Sequence, residues 1–217
     1  MNPDNNSLDR TYFIGGPPRV GKTTLCYALA KKIDGHVVST DAIRDAVKKG
    51  TKDKSGDLFR LWQENNLSEE EWLKEHLESP EITIDNQNRE SIAFWNSIVA
   101  FCNTFCEDSA KHIVEGVALL PQLIAGMKNK PFHVIFVGNT NKTAKAMIRY
   151  MEKYPEQDWM AVLKYGEKRI EGMANFVRAM SQYFKDEALK HNFPYYEIDS
   201  DNFESSIENV IDNVVKP

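Results

Sequence analysis

The sequence predicts an α/β fold, in which a five-stranded parallel β-sheet lies between two layers of helices and carries a helical insertion. Two observations favour this fold. Five short apolar runs of strand length are separated by helical segments, as expected for parallel strands joined by crossover helices. The chain has 217 residues, of which 41% are hydrophobic, which is enough for a substantial core. We therefore expect residues 1–217 to form a single domain.

Apolar runs and turn residues place the predicted elements along the chain. The five strands are expected at residues 11–14, 36–39, 111–115, 132–137 and 195–198. Helical periodicity predicts helices over 22–33, from 41, within 57–77, over about 88–110, after Pro121, within 141–191 and over 200–215. Pro80 is expected to end the helical stretch that contains a capping box at Ser68 and Glu71. Because residues 48–110 exceed a minimal crossover, we expect a helical insertion there.

Charge and cysteine content exclude several classes of protein. The formal net charge is −5 and the isoelectric point is about 5.6, so no basic excess favours binding to nucleic acid or an anionic membrane. Cys26, Cys102 and Cys106 are too few for a disulfide framework, and we expect buried helix thiols. The sequence shows no transmembrane segment and no signal-peptide pattern. We expect a cytoplasmic protein that is a monomer or a homodimer.

A glycine-rich loop follows the first predicted strand. GGPPRVGKTT contains G-x-x-x-x-G-K-T at residues 16–23, between a predicted strand and a predicted helix, which is the context that indicates nucleotide binding. Glycines let backbone N–H groups converge on phosphate oxygens, and the helix directs its positive end at them. We expect Lys22 to reach the β- and γ-phosphates and the Thr23 hydroxyl to bind Mg²⁺. The predicted nucleotide-binding residues of this phosphate loop are Gly16, Pro18, Arg19, Val20, Gly21, Lys22, Thr23 and Thr24.

Two further strand ends carry candidate residues for a phosphate acceptor. Asp41 follows the second strand in STDAIR and can accept the proton of an acceptor hydroxyl, while Arg44, one helical turn later, can bind an anionic acceptor. Glu115 ends the third strand in IVEGVALLP and can hold Mg²⁺ through water or act as the base. Gly116 lets the chain turn around this site. Asp41 is our first choice of base and Glu115 the second, with a helix cap and a solvent-facing carboxylate as the respective structural alternatives.

These stretches carry a family resemblance. GGPPRVGKTTL, STDAIR and IVEGVALLP together are similar to the adenylate-kinase-like group of small P-loop kinases, and most resemble 2-phosphoglycerate kinase and its uncharacterised relatives. The later run ANFVRAMSQYFKDEALKHNFPYYEID resembles their C-terminal helix and last strand. The resemblance therefore covers both ends of the core, but it does not cover the insertion from about 48 to 90. The D-x-x-R pair also resembles polynucleotide 5′-hydroxyl kinases and zeta-type toxins, in which the pair lies on the acceptor side.

The resemblance implies further site residues. Kinases of this group cover the phosphates with a lid that brings arginines to the transferred phosphoryl group, which implies a lid-like segment at about 139–180. Arg149 is the first candidate for a catalytic lid arginine, and Arg178 lies in the resembling run and is expected to bind substrate. The loop after the last strand often helps to hold the base, which implies a nucleotide-binding role for Asp201, compatible with a helix cap at Ser200 or Asp201.

We therefore expect an ATP- and Mg²⁺-dependent kinase that phosphorylates a hydroxyl of a small, anionic metabolite. Its expected partners are ATP and a small-molecule acceptor, with no membrane. Two alternatives stay open. A polynucleotide 5′-hydroxyl kinase is favoured by the D-x-x-R pair and opposed by the net charge. A nucleotide-dependent regulator of the zeta-toxin type would act without metabolite turnover, and the absence of an N-K-x-D motif disfavours a GTPase.

Overall fold

A five-stranded parallel β-sheet forms the centre of the fold. The structure, a computed structural model, describes residues 8, 10–64, 66–107 and 109–215. The strands are β1 (Thr11–Gly15), β2 (Gly35–Ser39), β3 (Lys111–Gly116), β4 (His133–Gly138) and β5 (Tyr195–Glu197). The predicted α/β fold with five parallel strands is confirmed. The polar sequence of residues 1–10 predicts a disordered or loosely attached start, and residues 1–7 and 9 of it lie outside the described residues.

β1 is the central strand of the sheet, whose order is β2-β3-β1-β4-β5. Phe13 pairs with Val114 of β3 on one side and with Val134 of β4 on the other, and every residue of β1 is buried. Parallel strands all end at the same edge of a sheet, so the segments that follow them gather there. β2 and β3 lie on one side of β1, and β4 and β5 lie on the other. The phosphate loop, which follows β1, is therefore at the middle of this edge.

Helices connect the strands and cover the sheet. In chain order they are α1 (Lys22–Ile33), α2 (Thr40–Gly50), α3 (Arg60–Glu64), α4 (Glu69–Leu77), α5 (Pro80–Cys102), α6 (Pro121–Ala125), α7 (Ala144–Lys153), α8 (Trp159–Val162), α9 (Glu167–Lys190) and α10 (Phe203–Val215). Short 3₁₀ turns lie at Asp57–Phe59 and Asn103–Glu107. Among the described residues, no helix combines the length and the apolarity that a membrane crossing requires.

The longest predicted helix of the insertion differs from the observed one. Pro80 begins α5 instead of ending the helix before it, because a proline in the first turn removes an N–H group that has no intrahelical acceptor anyway. α5 ends at Cys102 and continues into the 3₁₀ turn. The predicted bounds of about 88 and 110 are therefore wrong at both ends.

The insertion packs its helices against the rest of the molecule. α4 and α5 both contact α9, and α5 also contacts α2. Trp72 stacks on His76 at 3.6 Å between ring centroids, and Phe94 is buried.

The predicted capping box is confirmed, since Ser68 and Glu71 exchange their side-chain to backbone hydrogen bonds at the start of α4. The side chain of Trp62 is outside the described part of the chain.

The long C-terminal helices bury the apolar faces that their periodicity predicts. α9 packs on β4, and α10 packs on α1. The buried residues of α10 are Ile207, Val210, Ile211 and Val214. Cys26 and Cys102 are buried free thiols, as expected, while the side chain of Cys106 belongs to the residues that are not described.

Candidate active site

The phosphate loop has a positive φ at three of its residues, and the first of these is Gly16, with a φ of 147°. Arg19 has a φ of 62°, and Gly21, which precedes α1, has a φ of 93°. A Cβ atom on Gly21 would lie 2.5 Å from the ring of Phe203, so only glycine fits at this position. The first N–H groups of α1 have no acceptor within the helix. The loop therefore has the curvature and the free donors that a polyphosphate requires.

Lys22 is the buried cation of this loop, with 7% of its surface exposed. Its Nζ donates a hydrogen bond to the Pro17 carbonyl at 2.6 Å. Burial lowers the pKa of Lys22, whereas the negative charges of Glu115 and Asp41 act in the opposite direction. The ammonium group therefore lies close enough to both carboxylates for their charges to act on it.

Asp41 lies at the start of α2, with an exposed carboxylate. The cap of α2 is Ser39, whose Oγ accepts a hydrogen bond from the Asp41 N–H at 3.2 Å. Asp41 therefore does not cap α2, and its carboxylate receives a hydrogen bond from Arg44 Nη1 at 3.0 Å. Arg44 also donates to Asp45 at 3.1 Å and lies 3.9 Å from Glu90. The predicted pair of Asp41 and Arg44 is thus formed at the end of β2.

Glu115 is the penultimate residue of β3, next to the phosphate loop, and 6% of its surface is exposed. Burial raises the pKa of Glu115, as does the charge of Asp41, whereas Lys22 and hydrogen bonds from the Ser39 and Thr23 hydroxyls lower it. A hydroxyl and a carboxylate side by side are oxygen ligands of the kind that Mg²⁺ prefers. Among the described residues no three His, Cys, Asp or Glu side chains converge on a metal site. A Mg²⁺ ion at Thr23 and Glu115 would complete its shell with water and nucleotide phosphates.

Gly116 places α2 against the end of β3. Its φ is 154°, and a Cβ at this position would overlap with the Oγ1 of Thr40. The close approach brings the start of α2, and with it Asp41, beside Glu115. Because Gly116 has no side chain, it lets the start of α2 approach the end of β3.

Glu90 of α5 is a buried carboxylate on the acceptor side that sequence reasoning missed. Its Oε1 accepts a hydrogen bond from Lys48 Nζ at 2.8 Å, and its Oε2 accepts one from the Leu61 N–H at 3.1 Å. The side chains of Glu90 and Lys48 are 0% and 1% exposed. The insertion thus contributes a fixed charge behind Arg44.

A cavity of about 760 Å³ opens on the other side of Lys22. The phosphate loop forms one wall, the segment from Lys142 to Trp159 a second, and the loop from Ser200 to Glu204 a third. Its charged or aromatic lining residues are Arg19, Lys22, Lys142, Arg149, Tyr150, Lys153, Tyr154, Asp158, Trp159, Asp201, Phe203 and Glu204. The size and the basic lining suit a nucleoside triphosphate.

Arg19 joins the phosphate loop to the second wall. Its Nη1 and Nη2 donate to the two carboxylate oxygens of Asp158 at 3.2 and 2.5 Å. The guanidinium also lies 6.0 Å from the ring centroid of Tyr150 and 5.7 Å from that of Trp159. The predicted nucleotide-binding residue Arg19 thus makes a clamp across the cavity that its motif position did not indicate.

The two predicted arginines of the lid-like segment have different surroundings. Arg149 lines the cavity and forms an ion pair with Asp201, so these two predicted residues meet. Arg178 is not among the described residues that line the cavity. It donates to the Lys142 carbonyl at 2.7 Å and to Asn175 Oδ1 at 3.0 Å, and so supports the loop after β4.

The remaining predicted residues of the phosphate loop divide by exposure. Gly16 and Val20 are buried, Pro18 is half-buried, and Thr23 and Thr24 are exposed in the cavity wall. Sequence reasoning missed Lys142, Tyr150, Asp158 and Phe203 of the cavity. A signal existed for Lys142, because it closely follows β4 at the edge of the sheet where ligands bind.

Comparisons with known proteins complete the description of the site. The sequence profile of the ATPase family associated with various cellular activities (AAA) matches residues 12–157. No curated protein sequence matches the chain. Deoxyadenosine kinase from M. mycoides with bound dATP is a similar solved structure, with 12% identity, a TM-score of 0.48 and coverage of 95% of this chain and 100% of that one. A candidate kinase from Chloroflexus aurantiacus J-10-fl has 15% identity, a TM-score of 0.48 and coverage of 95% and 94%. At these values neither structure carries an argument about activity.

Proposed function

The chain belongs to the ATPase family associated with various cellular activities, and from that premise we propose that it is an ATP- and Mg²⁺-dependent kinase acting on a hydroxyl of a small, anionic metabolite. One observation carries the proposal. Lys22 lines the nucleotide cavity and is also close to the carboxylates of Asp41 and Glu115. A site for a triphosphate and a site for an acceptor hydroxyl therefore meet at one ammonium group.

The residues around Lys22 have complementary roles in this reaction. Lys22 neutralises the charge that develops on the transferred phosphoryl group. The exposed carboxylate of Asp41 accepts the proton of the acceptor hydroxyl, whose oxygen forms a bond to the γ-phosphorus. The bond from the γ-phosphorus to the β–γ bridging oxygen breaks, and ADP is the leaving group. Thr23 and Glu115 would hold Mg²⁺, Glu115 through water. When bound, the ion neutralises charge on the β- and γ-phosphates.

The surroundings of Arg44 favour an acceptor that carries a negative charge. Its carboxylate partners Asp41 and Asp45 are exposed at 57% and 61%, so these ion pairs are weak. A carboxylate or phosphate of the acceptor would replace them with a bidentate pair. The resemblance to 2-phosphoglycerate kinase points to the same class of acceptor.

A second candidate function is supported by the family itself. An ATPase of this family could transfer the γ-phosphoryl group to water and use the reaction to change its contacts with another protein. The exposed carboxylate of Asp41 would then orient water instead of a metabolite. The two hypotheses predict different products from ATP. A kinase produces a phosphorylated metabolite, whereas an ATPase releases inorganic phosphate.

The experiment that tests the proposal uses the full chain, Mg²⁺ and γ-labelled ATP. Pools of anionic, neutral and cationic hydroxyl compounds, 2-phosphoglycerate and a 5′-hydroxyl oligonucleotide are offered separately. We expect label in the anionic pool, and the Lys22→Ala variant should lower kcat/KM by about 10²- to 10³-fold. Release of inorganic phosphate alone, at a rate that no pool changes, would overturn the kinase proposal in favour of the ATPase.

A further inference from the structure

Lys142 lies in the nucleotide cavity with its backbone fixed. Arg178 donates to its carbonyl at 2.7 Å, and its own N–H donates to the Asn139 carbonyl at 3.3 Å. The side-chain Nζ donates to Ser200 Oγ at 3.2 Å, which joins the loop after β4 to the loop after β5. The Asn139 amide also donates to Ser200 Oγ, at 2.9 Å. The direction of the Lys142 side chain is therefore set from both ends.

The charges around Lys142 are unusual for a half-buried lysine. Arg19 and Arg149, which line the same cavity, each pair with a carboxylate, Asp158 and Asp201 respectively. The Lys142 side chain donates to a neutral hydroxyl, that of Ser200. Burial lowers the pKa of Lys142 to about 8, and the positive charges of Arg19 and Arg149 act in the same direction. A partly desolvated ammonium group beside two cations is costly unless an anion joins it.

Among the described residues, the carboxylates of the cavity do not supply that anion. The charges that act on Lys142 are those of Arg19 and Arg149, and Arg178 of α9 donates to its carbonyl. Three carboxylates line the cavity: Asp158 and Asp201 are paired with arginines, and Glu204 acts on Lys153. The cavity that they line has the size for a nucleotide. The anion that fits both the charge and the space is the polyphosphate of a nucleoside triphosphate.

We propose that Lys142 is a nucleotide-contacting residue, whose ammonium group, held beside Arg19 and Arg149 by Ser200, pairs with a phosphate oxygen of the bound nucleoside triphosphate. The inference rests on the nucleotide-binding half of the proposed function and is independent of the acceptor. It has a consequence that a purely structural lysine would lack. Binding of the phosphate favours the charged ammonium, so the protein takes up a proton from solution when it binds ATP near the pKa of Lys142.

Isothermal titration calorimetry of the full chain without an acceptor tests this. ATP and adenosine are titrated into wild type, Lys142→Gln and Lys142→Arg, in buffers of different ionisation enthalpy at about pH 7 and about pH 8.5, on either side of the lysine pKa. We expect Lys142→Gln to weaken ATP binding about tenfold or more at the lower pH and to leave adenosine binding unchanged. Wild type should take up a proton on binding ATP at the higher pH, and Lys142→Gln should not.

Lys142→Arg and Lys145→Gln are the controls. The arginine keeps the charge without titrating, so it should retain ATP affinity and lose the proton uptake, even if the glutamine variant folds poorly. Lys145 is an exposed residue in the first turn of α7, and its variant should behave as wild type. Equal losses for ATP and adenosine, or unchanged proton uptake in Lys142→Gln, would overturn the inference. ATP binding without transfer to any acceptor would overturn only the kinase proposal, whereas failure of wild type to bind ATP would overturn both.

Discussion

Arg19 and Asp158 form a nearly buried bidentate ion pair between the phosphate loop and the segment that follows α7. Their side chains are 9% and 0% exposed, and Oδ1 of Asp158 also accepts the N–H groups of Met160 and Ala161 at the start of α8. Burial raises the pKa of Asp158, but the hydrogen bonds and charge of Arg19 and the backbone donors lower it by more. One carboxylate therefore holds both the phosphate loop and the wall of the cavity facing it.

Replacing Asp158 with asparagine should destabilise the protein markedly. The change leaves Arg19 as an uncompensated buried cation and weakens the cap of α8, so we expect a loss of roughly 3 kcal/mol in the free energy of unfolding. Urea denaturation followed by circular dichroism measures the loss. Hydrogen exchange should show the largest increase in the amides of residues 159–163.

The matched control for that variant is Asp212→Asn. Asp212 pairs with Lys32 on the surface, with side chains 60% and 47% exposed, and exposed pairs contribute less than about 1 kcal/mol. An Asp158→Asn protein that unfolds at the same urea concentration as the Asp212→Asn protein would show that the Arg19 clamp does not stabilise the fold.

Asp41→Asn and Glu115→Gln should separate the roles of the two acceptor-side carboxylates. Asp41→Asn removes the proposed base, so kcat should fall by about 10²-fold or more while ATP affinity stays within about twofold. Glu115→Gln removes an anion beside Thr23 and Lys22, so the Mg²⁺ concentration needed for half-maximal activity should rise. Steady-state kinetics with varied ATP and varied Mg²⁺ measure both effects.

Asp45→Asn is the control for Asp41, because Asp45 also binds Arg44 from an exposed position on α2. We expect a small change in acceptor KM and an unchanged kcat. Normal turnover of the Asp41→Asn variant would remove Asp41 as the base and leave Glu115 in that role.

The sheet and the phosphate loop could be predicted because their signals are local. Strand lengths follow from short apolar runs between glycine and polar turns, and Gly21, Lys22 and Thr23 act at a fixed spacing on one turn. The prediction that Pro80 ends a helix is wrong because proline is found both in the first turn of a helix and in the residues after its end. Tertiary packing of α5, which contacts α2, α3, α4 and α9, can decide between these.

The cavity could be predicted in part. The resemblance assigned Arg149 and Asp201 to the nucleotide site separately, and both line the cavity, but their ion pair was not predicted. Arg19 and Asp158 are 139 residues apart, and no local pattern relates them. Lys48 and Glu90, 42 residues apart, are equally invisible, because charged residues on helices are more often solvated than buried. Contacts of this range depend on how the insertion and the segment after β4 pack.

Gly21→Ala should impair both folding and nucleotide binding. The alanine would have to adopt a φ of 93°, and its Cβ would lie 2.5 Å from the Phe203 ring. We expect about 1–3 kcal/mol of destabilisation from the backbone alone and weaker ATP binding, measured by thermal denaturation with and without ATP. Adding Phe203→Ala should restore the part that is due to the clash and leave the part that is due to φ.

The control for that substitution is Gly50→Ala. Gly50 lies at the end of α2, and a Cβ there meets no atom within 4 Å. Alanine in a helix is more favourable than glycine by about 0.5–1 kcal/mol, so this variant should be as stable as wild type or slightly more stable. If both glycine variants melt at the same temperature as wild type, then Phe203 and the left-handed backbone do not constrain the loop.

Glu64 should make the stability of the protein depend on pH near neutrality. Burial raises its pKa from 4.5 to about 7, and the charges of Glu75 and Glu90 act in the same direction, against a hydrogen bond from Asn86. A carboxyl group whose pKa is raised by folding stabilises the fold while it is protonated. Its contribution is therefore complete below the unfolded pKa of 4.5 and disappears as the pH rises through the folded pKa of about 7.

Glu64→Gln mimics the protonated form and should remove this dependence. At one pKa unit per 1.36 kcal/mol, the variant should gain at most about 3 kcal/mol over wild type above neutral pH and nothing near pH 4.5. Urea denaturation across this range measures the difference in the free energy of unfolding between the variant and wild type. The contributions of the other acids are the same in both proteins and cancel in this difference. Glu70→Gln, an exposed change on α4, should run parallel to wild type. A constant offset between Glu64→Gln and wild type at every pH would mean that Glu64 does not titrate in this range, because only a group with different pKa values in the two states makes the gap grow with pH.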